Sequence, residues 1–129
     1  MKRLRKFNES KVDIDYDYIY QCFAEILDDG KAVIREHKND YTHYIVIELN
    51  INGFKPERRD TGPMKIQNAK IIGYINDVKY NNELLQEVEV ALNRLSDEYP
   101  EYKVGFDVFP YSIFINIYAG EEKKEEYPF

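Results

Sequence analysis

Asp13, Asp15 and Asp17 alternate with apolar residues in a pattern that resembles the opening of a calcium loop. A helix–loop–helix calcium site also needs glycine at its sixth position and glutamate at its twelfth. Tyr18 and Ala24 stand there instead. The three carboxylates suit the start of a helix better, where they match free N–H groups and the helix dipole. His37 and His43 flank a turn. Opposed across a hairpin they would offer two imidazoles to a metal, with Asp40 or Glu36 as a third ligand. No cysteine lies close in sequence, so a solvated turn is the reading that this ligand set supports. Cys22 would be a nucleophile only beside a base. It sits next to Phe23 with no basic neighbour before Lys31, which marks a buried structural thiol. Neither a GxGxxG nor a P-loop pattern occurs. Among 24 acidic residues nothing singles out an acid–base pair. The sequence therefore points to no catalytic residue, no cofactor and no metal, and to a protein that is not an enzyme.

The chain that must position these groups has 129 residues and a mass of 15.4 kDa, the size of one domain. Hydrophobic residues make up 43%, enough to build a core without disulfide or metal. Twelve Tyr and seven Phe without Trp favour a sheet-rich interior. One cysteine excludes an internal disulfide framework and a cysteine-based zinc finger. No apolar run is long enough to cross a membrane, and the basic N-terminus lacks the apolar stretch of a signal peptide. A soluble protein of the cytoplasm, or of a host cytoplasm or virion if phage-encoded, is expected. The net charge of −6 argues against a dedicated nucleic-acid binder.

Residues 1–12 form a basic peptide with Lys2, Arg3, Arg5 and Lys6 around Leu4 and Phe7. Leu4 and Phe7 share one face if the peptide turns helical, as a segment ordering on a partner would. Residues 13–119 are predicted as one α+β domain, and 120–129 as a charged tail. Within the domain, residues 15–29 carry Tyr16, Ile19, Tyr20, Phe23, Ile26 and Leu27 at helical spacing, and Gly30 ends that helix. Strands follow at 31–38 and 43–51 around an Asn39-Asp40 turn. Residues 52–75 read as an irregular insert broken by Gly53, Pro56 and Gly62-Pro63, with a short extra strand expected near Ile71–Ile75. The insert is basic through Lys55, Arg58, Arg59, Lys65 and Lys70. A second helix at 82–99 precedes strands at 102–109 and 112–119.

The order is helix–strand–strand twice. A shift of 68 positions lays Leu27 on Leu95, and Ile45, Ile47 and Leu49 on Ile113, Ile115 and Ile117. This suggests two αββ units related by a rough twofold. The two most apolar strands, 43–51 and 112–119, should be central, with 31–38 and 102–109 at the edges. Two helices on one face of a four-stranded antiparallel sheet give a circularly permuted ferredoxin-like sandwich.

If the isoleucine rows face the helices, the opposite face shows Tyr44, Val46, Glu48, Asn50, Phe114, Asn116 and Tyr118. So aromatic a face calls for a cover: the 52–75 insert, a second copy, or a ligand. Two uses compete. Tyr44, Val46, Phe114 and Tyr118 would make a contact with a protein partner or a homodimer, with Leu4 and Phe7 as further anchors. Alternatively, Tyr44, Phe114 and Tyr118 would stack bases while Arg58, Arg59 and Lys65 hold phosphates. Glu48 in mid-face and the acidic net charge favour the protein partner.

Met1-Lys2 followed by Phe7-Asn8-Glu9-Ser10 resembles the capsid-targeting peptide of internal head proteins from T-even-like bacteriophages. That pattern is Met-Lys, a few mixed residues, Phe, then Glu before a small residue, where a prohead protease cuts. The resemblance covers about ten residues and implies an anchor at Phe7 and a cut between Glu9 and Ser10. This peptide is more basic than the pattern, one residue shorter before Glu, and has Phe where the protease usually meets Leu or Ile. The expectation is a non-enzymatic protein-interaction module, a phage virion or head-assembly accessory protein. A nucleic-acid-binding module is the alternative, and a small phage-encoded modifier or inhibitor of a host enzyme the third reading.

Overall fold

Asp15 starts the first helix. Its side chain accepts a hydrogen bond from the Tyr18 N–H at 3.1 Å, which satisfies one of the free donors of the first turn. The helix α1 spans Tyr16–Cys22 and a second short helix α2 spans Ala24–Asp28. The single helix expected over 15–29 is therefore bent. At Phe23 the backbone turns to φ −103° and ψ 12°, and its N–H is shared between the carbonyls of Ile19 and Tyr20. The bend keeps the Phe23 ring, 1% exposed, inside the core. Gly30, at φ +77°, ends the pair in the left-handed conformation that glycine adopts without strain.

The computed structural model describes residues 14–38, 42–51, 59–71, 82–109 and 111–119. After the first two helices come β1 (Ala32–Lys38), β2 (His43–Asn50), β3 (Arg59–Asp60), β4 (Met64–Lys65) and a 3-10 turn at Ile66–Asn68. Then follow α3 (Asn82–Glu98), β5 (Lys103–Phe109) and β6 (Ser112–Tyr118). The architecture is α+β. The antiparallel sheet runs β1-β2-β6-β5, and the two short strands β3 and β4 share a fifth position beyond β5.

That fifth position corrects the expected four-stranded sheet with β5 at its edge. The groups β5 would leave unpaired are taken up by the insert. Thr61 N–H donates to the Phe106 carbonyl at 2.9 Å, and Phe106 N–H donates to Thr61 Oγ1 at 3.0 Å. Ile66 N–H donates to the Tyr102 carbonyl at 3.0 Å. Between β3 and β4 the chain carries one residue more than β5, so Thr61, Gly62 and Pro63 bulge. A side chain at Gly105 would come within 3.1 Å of the Thr61 carbonyl, which is why this strand tolerates a glycine there.

The helices and the isoleucine rows enclose one core. Ile45, Ile47, Ile113 and Ile115 are fully buried, beside Phe23, Leu92 and Leu95, with Leu27 half-buried against them. Burying each such side chain contributes about 1.5–3 kcal/mol. From Ile66 on, the described part of the insert turns to this same side, where Ile66, Ala69 and Ile71 belong to the core, whereas the Thr61–Pro63 backbone lies against the opposite face at Gly105. The extra strand expected at 71–75 falls largely outside the described residues. Of the cover expected from 52–75, Thr61–Pro63 supply it at Gly105 of β5, and 64–71 do not.

The two halves meet at β2 and β6, where Ile45 pairs Ile117, Ile47 pairs Ile115 and Leu49 pairs Ile113. Under the shift of 68, each residue is thus paired with the equivalent of its opposite number. This is what a local twofold through Ile47 and Ile115 requires.

Candidate functional site

On the sheet face away from the helices, strand alternation brings together the residues expected there. Tyr44 pairs with Tyr118, and Glu48 with Phe114. Val46 lies between them opposite Asn116. Lys103 and Asp107 of β5 continue the rows of Tyr118 and Phe114.

The rings pack on one another. His37 stacks on Tyr44 with centroids 4.8 Å apart and planes at 13°, and Tyr44 leans on Tyr118 at 5.5 Å and 33°. Near-parallel rings this close must overlap face to face, because rings side by side in one plane are held farther apart by their edges. One face of Tyr44 is thus taken up by His37. Phe114 meets Phe109 edge-on at 5.4 Å. Tyr44, Phe114 and Tyr118 are each half-buried. Val46, expected to be exposed with them, is only 6% exposed.

Polar groups frame the aromatics. Arg35 Nη2 donates to Glu48 Oε1 at 2.8 Å, and Asn116 Nδ2 donates to Asp107 Oδ2 at 3.1 Å. Burial, then the neighbouring Tyr44 and Asp107, push the Tyr118 hydroxyl above its ordinary value of 10.0, so it stays a neutral donor. The face offers aromatic rings, hydroxyls and paired charges, a composition suited to contact with another protein surface.

Other sequence candidates separate. Leu4, Phe7 and Arg58 lie outside the described residues, and of Arg59 only the backbone, in β3, is described. Lys65 is exposed in β4, opposite Lys103. The two histidines occupy opposite faces, since His37 stacks on Tyr44 while His43 is buried on the helix side. They cannot share a metal.

His43 belongs to a polar node that sequence reasoning missed. Ile14 N–H donates to His43 Nδ1 at 3.0 Å, which puts the ring proton on Nε2, 2.6 Å from Glu36 Oε2. With Nδ1 occupied by a backbone donor, this Glu–His pair has no free nitrogen to act as a general base. Beside it, Asp15 Oδ2 accepts from the Tyr99 hydroxyl at 2.6 Å, and Asp15 N–H donates to the Tyr102 hydroxyl at 3.0 Å. Tyr99 and Tyr102 stack at 4.6 Å. Burial raises the Tyr102 hydroxyl well above 10.0, against the lowering effect of the Asp15 N–H. The signal for His43 was its parity with Ile45 in β2, which assigns it to the core side.

Cys22 is buried and hydrogen-bonded to Tyr18, as a structural thiol would be. A groove of about 660 Å³ between α2 and α3 has a floor of Phe23, Ile26 and Ala91 under Glu25, Glu87 and Arg94. No helix among the described residues is long and apolar enough to cross a membrane. Comparison with family models, with curated proteins and with solved structures finds no match to this chain.

Proposed function

We propose that this chain is a non-enzymatic protein-interaction module that works through the open face of its sheet, in the setting of a phage virion or its head assembly. The observation that carries this reading is the aromatic face opposite the helices, where Tyr44, Phe114 and Tyr118 remain half-exposed over Val46. All three helices pack on the other side. An aromatic patch of this kind is what a partner surface covers. Glu48 in mid-face and the net charge of −6 favour this use over base stacking. The phage setting rests on the likeness of residues 1–10 to a capsid-targeting peptide.

We also read the architecture as a circularly permuted ferredoxin-like sandwich. The order β1-β2-β6-β5, with a helical segment before each hairpin, supports that reading, and β3 and β4 are an addition to it.

Site-specific photocrosslinking in the producing cell tests the function. A photoreactive phenylalanine at Phe114 should give discrete adducts. The same probe at Tyr111, 72% exposed in the β5–β6 turn, should give none. Equal labelling from both positions, or none from either, would refute an interaction face.

A further inference from the structure

Val90 is a large apolar side chain that the core does not use. It is 57% exposed on α3 and lines the groove between α2 and α3, beside the buried Phe23, Ile26 and Ala91. The charges of this groove are ordered along α3. Glu83 and Glu87 stand one turn apart, and Arg94 lies about two turns beyond them, past Val90. Glu25 adds a third carboxylate from α2. None of the three glutamates forms an ion pair with another described residue. Glu87 Oε1 is shielded from water and meets no hydrogen-bond donor.

We infer that this groove binds residues 1–12 of the same chain, with Leu4 and Phe7 against Val90 and the cations of residues 2–6 against the glutamates. The inference goes beyond the reading of the sheet face and does not depend on it.

Reach and charge order select this occupant. Asp15 is tied to Tyr99 by the 2.6 Å bond, and Tyr18 packs on the same ring. The first helix therefore begins beside the C-terminal end of α3. Counted along α3 from Tyr99, Arg94 is about 7 Å away, Val90 about 13 Å, Glu87 about 18 Å and Glu83 about 24 Å. At up to about 3.3 Å per residue, Phe7 can lie as far as about 23 Å from Ile14, and Leu4 about 33 Å. Both anchors can thus reach Val90, with residues 10–13 left for the turn back along the helices. Laid in this direction the peptide presents Glu9 first, then Lys6, Arg5, Arg3 and Lys2. The groove presents Arg94 first, then Glu87 and Glu83. Acid meets base, and bases then meet acids; the opposite direction would set the cations on Arg94. Leu4 and Phe7 have the spacing with which apolar anchors enter a groove between helices. The groove's volume of about 660 Å³ falls within the range of clefts that hold such side chains.

The hold is loose. Its ionic contacts lie at the surface, where water and salt screen them. The peptide therefore adds little to the thermal midpoint and can leave the groove for a partner.

Photocrosslinking within the purified full chain tests this. A photoreactive phenylalanine at Phe7 should join to residues 21–26 or 83–94 of its own chain, as read by mass spectrometry of the digested monomer. The yield should not change on dilution, because the contact is intramolecular. It should fall several-fold as salt rises from tens to hundreds of millimolar. Glu9→Lys should lower it several-fold by setting a base on Arg94, and adding Arg94→Glu should restore it. A defect in folding caused by one substitution would not be cured by the other. If the paired variant fails a thermal melt, the salt series on the otherwise unaltered chain decides. Adducts at other positions, adducts only between chains, or no adducts would overturn the inference. So would a yield that salt does not move, or one that stays low in a folded paired variant.

Discussion

Replacing Asp15 by alanine tests whether the start of α1 is held by the far end of the other helix. The carboxylate makes two separable bonds. One caps the Tyr18 N–H at 3.1 Å, and losing a cap costs about 1 kcal/mol. The other accepts from the Tyr99 hydroxyl at 2.6 Å, a charge-assisted bond to a residue only 7% exposed, and its loss costs about 1.5–3 kcal/mol. Asp15→Ala should therefore lower stability by about 3 kcal/mol and the thermal midpoint by roughly 10 °C. Urea unfolding followed by circular dichroism gives the number. Asp17, exposed in the same turn, is the control, and Asp17→Ala should cost under about 0.5 kcal/mol. A cycle with Tyr99→Phe should show a coupling of about 1–2 kcal/mol. Equal costs at Asp15 and Asp17, or no coupling to Tyr99, would refute the argument that Asp15 is a tertiary latch.

Burial raises Tyr102 above the ordinary tyrosine value of 10.0, so the unfolded chain releases this proton first. Its contribution to stability is constant below about pH 10 and falls as pH rises from there toward the folded value. Tyrosinate absorbance should show a late step that coincides with unfolding and vanishes in Tyr102→Phe; all twelve tyrosines ionising together in folded protein would contradict this. If residues 1–10 are a targeting peptide, deleting them should leave the thermal midpoint within about 2 °C while abolishing co-assembly with the partner. A large loss of stability would instead place Leu4 and Phe7 in the core.

The alternation of Ile45, Ile47 and Leu49, and of Ile113, Ile115 and Ile117, announced the central strands and the face they bury, because a period of two is a local property. The same parity assembled Tyr44, Val46, Phe114 and Tyr118. It could not show that Val46 would be 6% exposed, since that depends on how neighbouring side chains lie on the face. The edge formed by Arg59–Asp60 and Met64–Lys65 was hidden for another reason. Two-residue strands carry no periodicity, and what orders them is the unpaired backbone of β5. The bend at Phe23 was invisible because Ile19, Phe23 and Ile26 keep helical spacing through it. Asp15 was legible as a helix start, but its partners Tyr99 and Tyr102 come from more than eighty residues away.

The seam between β2 and β6 also bears on chain connectivity. The described residues 14–51 supply one side of it, and 59–119 the other, including the edge strands and the Ile66–Asn68 turn that lean on β5 and α3. Only residues 52–58 join these two pieces covalently. Neither piece alone could bury its isoleucine row, yet each carries the complement that the other lacks. Synthesised as separate polypeptides, they would have reason to find one another, and the reunited halves would expose the same aromatic face as the unbroken chain.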